Sequence, residues 1–142
     1  MTDGKTLLSG LLKTAMLEQQ SIRSTLDRPM DPGLREILQD HLREYDAIEA
    51  DTRLLAVQRG WELREPDPAL GAISLLKNRS VSMVKNADSA VAGRMILGYT
   101  KDMVRGLRNL HAYTGQDLSL RILSRRLLDC ETAAIRQLQR FL

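Results

Sequence analysis

Apolar residues recur at intervals of three and four positions along four long stretches of this chain. An α-helix completes a turn every 3.6 residues, so residues at this spacing line up on one face of a helix. A β-strand would instead show strict alternation of apolar and polar residues, and no stretch of useful length does so. The pattern therefore predicts an all-α protein built from four long amphipathic helices.

Residues that begin and end helices divide the four stretches. The first helix is predicted at about residues 6–27, and the second from a cap at Asp31 to Gly60. The third is predicted from a cap at Asn86 or Asp88 to Gly115, and the fourth from Asp117 to about residue 141. Residues 61–68 predict a connector, and residues 69–84 predict a short extra helix between the second and third long helices.

Short turns between helices favour antiparallel neighbours, and two such hairpins bury their apolar faces together. We therefore expect an antiparallel four-helix bundle that forms a single domain over residues 1–142. Whether residues 61–80 make a short helical link or a long crossover is left open by the sequence.

Composition narrows the class of protein. Aromatic residues make up only 4% of the chain, which suits helices better than sheets. No stretch is long and apolar enough for a membrane span, and the first residues show no signal-peptide pattern. Cys130 is the single cysteine, which excludes an internal disulfide and suits a reducing cytoplasm.

Charge is unevenly distributed along the chain. Residues 1–70 hold nine Lys or Arg against thirteen Asp or Glu, whereas residues 71–142 hold twelve against five. The acidic second helix of one copy can therefore face the basic surface of another, which predicts self-association as a homodimer.

Arginine and lysine side chains form one face of the third helix and one of the fourth. These residues are Arg94, Lys101, Arg105, Arg108, Arg121, Arg125, Arg136 and Arg140. Such faces can bind phosphates, but a bundle also keeps its solvated charges opposite the core. Because no nucleic-acid motif accompanies them, we interpret both faces as solvated and expect no nucleic-acid partner.

Two polar residues interrupt the apolar stripes. Glu18 lies on the first helix and His41 on the second, each about ten residues from the turn between them. They are expected to meet at one level of the bundle, where a buried carboxylate and a buried imidazole would satisfy each other.

The alternative interpretation is that Glu18 and His41 belong to a metal site. Glutamate and histidine ligands projecting into the middle of a bundle are the arrangement of ferritin-type proteins. The candidate ligands for an Fe, Mn or Zn ion are Glu18, His41, Glu44, Asp102 and Glu131. Against a two-iron centre, the chain has only two histidines and no Glu-x-x-His motif.

Three segments carry a family resemblance. Residues 32–45 with 59–61 resemble the second helix of ferritin-like bundle proteins of the spore coat F type. Residues 92–98 and 127–138 are similar to small uncharacterised helical proteins of clostridial bacteria. The resemblance implies a ferritin-like four-helix fold in a Gram-positive bacterium, but not iron chemistry, because the ligand set is incomplete.

Two functions are therefore compatible with the sequence. The first is a non-enzymatic helical bundle that acts through protein–protein contacts, as a homodimer. The second is a metal-binding, ferritin-like protein with a Glu/His site in the middle of the bundle.

Overall fold

A computed structural model describes residues 2–67 and 87–142 of the chain. These residues form four α-helices: α1 (Gly4–Leu26), α2 (Pro32–Arg59), α3 (Ala87–Ala112) and α4 (Leu118–Leu138). A 3₁₀ turn, Gln139–Phe141, follows α4. Within the two described ranges no β-strand occurs, so the all-α prediction is confirmed there.

Aspartate residues begin three of the helices. The side chain of Asp31 accepts hydrogen bonds from Gly33 N at 2.8 Å and Leu34 N at 3.4 Å, and that of Asp117 accepts one from Ser119 N at 3.1 Å. Both caps were predicted, since a carboxylate satisfies the backbone donors that a helix start leaves free. Asp3 does the same for α1, accepting from Thr6 N at 2.7 Å.

Two predicted helix limits need correction. The first helix begins at Gly4 rather than near residue 6, because Asp3 provides a cap that the apolar pattern does not reveal. The third helix ends at Ala112, before Gly115. The predicted short helix at residues 69–84 lies outside the described residues.

The end of α2 depends on Gly60. Its φ of 70° is in the left-handed region, where glycine carries no steric penalty. Trp61 N then donates to Ala56 O at 2.9 Å, which closes the helix end. Trp61 packs against α1 at Gly4, where an added Cβ would lie 2.7 Å from the indole.

Contacts between helices show how they are aligned. Arg23 of α1 pairs with Asp46 of α2 at 3.2 Å, and Met16 of α1 contacts Arg53 of α2 at 3.4 Å. Residue numbers therefore fall along α2 as they rise along α1, so these two helices run in opposite directions.

The apolar stripes form one continuous core. All four helices contribute leucine, isoleucine, alanine or tyrosine side chains that are almost wholly buried. Each leucine or isoleucine side chain removed from water stabilises the fold by about 1.5–3 kcal/mol before the entropy cost of ordering the chain is subtracted. No helix in residues 2–67 or 87–142 has the length and apolar character to cross a bilayer.

We expect Gly60→Ala to lower the free energy of unfolding by about 1 kcal/mol, because alanine is strained at positive φ. Gly10→Ala is the matched control. Its Cβ would lie an ordinary 3.5 Å from Asn109, and alanine in a helix interior stabilises by about 0.5–1 kcal/mol. Urea denaturation at one fixed protein concentration measures both changes. Equal shifts of the same sign would contradict this account of the helix end.

Candidate functional site

Three carboxyl groups from three helices come together inside the bundle. Glu18 lies on α1, Asp102 on α3 and Glu131 on α4. Glu131 is fully buried, Asp102 is 9% exposed and Glu18 is partly exposed. We call these three residues the acidic cluster.

Asp102 connects the cluster to a cation. Its Oδ1 accepts a hydrogen bond from Arg105, one turn further along α3, in an ion pair whose arginine end is half exposed. Its Oδ2 is buried and has no hydrogen-bond partner among the described residues. The carboxyl group of Glu18 lies within hydrogen-bonding reach of Asp102.

Two carboxyl groups within hydrogen-bonding reach of each other are most stable when one of them is protonated. Burial is the main cause that raises the pKa of Glu18 well above its ordinary value, and the neighbouring carboxyl group of Asp102 raises this pKa further. A protonated Glu18 can donate to Asp102, whereas an ionised Glu18 can only repel it. The geometry therefore favours a neutral Glu18 beside an ion-paired Asp102.

Glu131 is the most deeply buried member of the cluster. Neither of its carboxyl oxygens has a hydrogen-bond partner among the described residues. Burial raises the pKa of Glu131 to about 9; the negative charge of Asp102 adds to the increase, and Arg105 opposes it. An ionised carboxylate in this position would be costly, so the neutral acid is the stable form at neutral pH.

Tyrosine side chains border the cluster. The rings of Tyr45 on α2 and Tyr99 on α3 are stacked, with centroids 6.2 Å apart, and both hydroxyls are buried without a partner among the described residues. Burial is the first cause that raises their pKa values well above the usual range, and the charges of Glu18 and Glu131 add to it. These hydroxyls therefore remain neutral neighbours of the carboxyl groups.

Cys130, next to Glu131 on α4, offers no reactive thiolate. Burial raises the pKa of its thiol to about 12, so the thiol stays protonated at neutral pH. A buried, protonated thiol is a poor nucleophile and packs as a small apolar side chain.

A small cavity opens beside two members of the cluster. It has a volume of about 50 Å³ and is lined by α1, α3 and α4, with Asp102 and Glu131 in its wall. Such a volume suits a few water molecules, since one water needs roughly 10–15 Å³ by this measure. Ligand pockets are larger, at about 300–1,000 Å³.

His41 does not belong to this cluster, and its predicted pairing with Glu18 is wrong. Its Nε2–H donates to Gln137 Oε1 of α4 at 2.8 Å, and its ring meets that of Tyr99 edge to face at 6.1 Å. Burial is the main cause that lowers the pKa of His41, which keeps the imidazole neutral.

The partners of the two side chains show the error. His41 bonds to Gln137 of α4, whereas the carboxyl group of Glu18 lies beside Asp102 of α3. Counting residues from a shared turn estimates the level of a side chain, but it does not say which neighbouring side chain that residue contacts.

The five predicted metal ligands are therefore only partly brought together. Glu18, Asp102 and Glu131 meet, His41 binds Gln137, and Glu44 is exposed on α2. Across residues 2–67 and 87–142, no three His, Cys, Asp or Glu side chains are grouped in a way that could hold a metal ion. Metal binding by the predicted set remains a prediction.

Sequence reasoning missed the residues that surround the acids. Tyr45 and Tyr99 occupy ordinary positions in the apolar stripes, so only their hydroxyl groups signal a polar layer. Arg105 lies three residues after Asp102, a spacing that could have predicted their ion pair. Gln137 is an exposed residue on a charged helix, and nothing in the sequence singles it out as the partner of His41.

We expect the stability of the wild-type protein to fall as pH rises from about 5 to 9. With a pKa of about 9 when folded and about 4.5 when unfolded, Glu131 holds a proton in the folded state that the unfolded chain has lost. This one group therefore lowers the free energy of unfolding by about 1.4 kcal/mol per pH unit over that window.

Glu131→Gln removes the ionisable group and should flatten this slope by a similar amount, measured by urea denaturation across the pH range. Glu44→Gln, at an exposed position on α2, is the matched control and should keep the wild-type slope. An unchanged slope in the Glu131 variant would show that Glu131 is already ionised in the folded core.

Comparison with known proteins adds no assignment. No protein-family model, curated protein or solved structure matches this chain. The function is therefore inferred from the arrangement of its own side chains.

Proposed function

We propose that this chain is a non-enzymatic helical bundle that acts through protein–protein contacts, as a homodimer. The proposal includes a ferritin-like, antiparallel arrangement of the four helices. The opposite directions of α1 and α2 support that arrangement, as do the ion pairs that join α2 to α4 in opposite order along the chain.

The observation that carries the proposal is a set of large apolar side chains exposed on two neighbouring helices. Leu54 is 56% exposed and Val57 76% on α2, while Leu118 is 67% and Ile122 60% on α4. Single exposed leucines are common, but a contiguous apolar patch marks a contact surface. The α2 and α4 helices lie side by side, so these residues share one side of the molecule.

The interior supports a non-enzymatic role. Enzymes place ionisable groups where a substrate can reach them, whereas Glu131 is fully buried and its cavity of about 50 Å³ excludes an organic substrate. Cys130 has a pKa raised to about 12 by burial, which removes it as a nucleophile.

The alternative is a metal-binding bundle. Glu18, Asp102 and Glu131 lie near one another, and carboxylate oxygens are ligands for Fe and Mn, but within residues 2–67 and 87–142 no three such side chains are placed so that they could hold an ion. The separation of His41 and Glu44 from these three acids counts against a site that uses all five predicted ligands. Elemental analysis after loading with Fe, Mn or Zn separates the two functions, since one tightly held ion per chain would establish the alternative.

The homodimer is tested by light scattering coupled to size-exclusion chromatography. We expect a mass of twice the 16.0 kDa of the chain at micromolar concentration. Ile122→Glu should shift the mass toward the monomer, because a charge in an apolar contact must be desolvated. Leu97→Glu, at a 65% exposed leucine of α3, is the matched control and should remain dimeric. A wild-type mass of 16 kDa over the whole concentration range would refute the homodimer.

A further inference from the structure

A groove runs between α2 and α4 on the side that carries the exposed apolar residues. It has a volume of about 290 Å³, with Leu54 and Ile122 in its walls. Asp51 of α2 and Arg126 of α4 also line it and form an ion pair with each other. Both charged side chains remain partly exposed, at 53% and 37%.

Three contacts fix the relative levels of the two helices. From one end of α2 to the other, His41 bonds to Gln137, Asp51 to Arg126 and Arg59 to Asp117. Numbers rise along α2 as they fall along α4, so the helices run in opposite directions with a constant offset. Leu54 is therefore level with Ile122, and Val57 is level with the first turn of α4, near Leu118.

Consider a twofold axis that runs parallel to this groove. It would place α2 of one copy opposite α4 of the other and leave each residue at the same height along the helices. In a dimer built on that axis, α2 of each copy lies over α4 of the other. Leu54 then meets Ile122 of the second copy, and Asp51 meets Arg126. The same twofold rotation thus places apolar side chains against apolar side chains and an acid against a base.

We propose that the α2/α4 face binds a second copy of this chain through such a twofold axis, with α2 of each copy against α4 of the other. This inference rests on the homodimer proposed above and adds the surface and its geometry. Leu54 and Ile122 form the centre of the contact, and Asp51 and Arg126 form a charge pair in each half.

The distribution of charge explains why the occupant is a second copy. The outer side of α2 is mainly acidic, with Asp40, Glu44 and Asp51 beside Arg43, whereas that of α4 is mainly basic, with Arg125, Arg126 and Arg136 beside Asp129. A surface that holds both signs on adjacent helices is complementary to itself when the two helices exchange places. A partner of a single charge sign would meet like charges on one of the two helices.

Charge exchange between copies tests the arrangement. Asp51→Arg alone places arginine against Arg126 of the second copy, and Arg126→Asp alone places two aspartates together. We expect each single variant to raise the dimer dissociation constant about tenfold or more, measured by sedimentation equilibrium. An equimolar mixture of the two should form a heterodimer with an affinity within about threefold of the wild type, because opposite charges meet again across the axis.

The ion pair of Arg23 with Asp46, on the α1 side of α2, is the matched control. Its side chains are 57% and 47% exposed, so Arg23→Asp and Asp46→Arg change surface charge equally while leaving the proposed contact intact. Both should keep the wild-type dissociation constant. Ile122→Gln preserves every ion pair and should raise the dimer dissociation constant. Circular dichroism verifies that each variant is folded.

The outcomes separate this inference from the proposed function. A wild-type protein that dimerises, with single variants as tight as the wild type or with no recovery on mixing, overturns the α2-against-α4 arrangement and leaves the homodimer standing. A wild-type protein that stays monomeric refutes the homodimer itself. Weakening by each single variant with recovery in the mixture supports the proposed axis.

Discussion

The structure depends on the burial of four apolar helix faces against one another. Most of the stability of an amphipathic helix in a protein comes from the packing of its apolar face, so packing rather than helix propensity holds each one in place. Aspartate caps at Asp3, Asp31 and Asp117 and the left-handed Gly60 decide where three of these helices begin or end. These residues set the lengths of the apolar helix faces, and the faces pack together to form the core.

The acidic cluster is the exception that this core has to accommodate. Glu131 is fully buried without a partner for either oxygen, and Glu18 and Asp102 lie beside each other at the same place. Arg105, which pairs with Asp102, is half exposed, and Glu18 is partly exposed. Protons on Glu18 and Glu131 let the core hold three carboxyl groups, so the layer is most stable at about pH 5 and below, and it loses stability as the pH rises toward 9.

The all-α class and several helix limits could be predicted from the sequence, because both depend on local rules. Apolar spacing located the helices, and the caps at Asp31 and Asp117 and the stop at Gly60 followed from side-chain chemistry. The site could be predicted only in part, since it depends on which side chains of neighbouring helices come into contact. Glu18 lies beside Asp102 and near Glu131, both of which were predicted with it, whereas His41 bonds to Gln137 instead of Glu18. The apolar spacing also gave no warning that Leu54 and Ile122 would be exposed beside each other.

In the proposed function, the outer faces of the bundle are the surface through which the protein acts. Hydrogen–deuterium exchange at low and high protein concentration tests this claim directly, because it reports which backbone amides a second copy covers. Protection that increases with concentration is predicted in residues 51–58 and 118–126, with none in residues 97–104. Exchange that is independent of concentration in the first two segments, or protection confined to the third, would contradict the account.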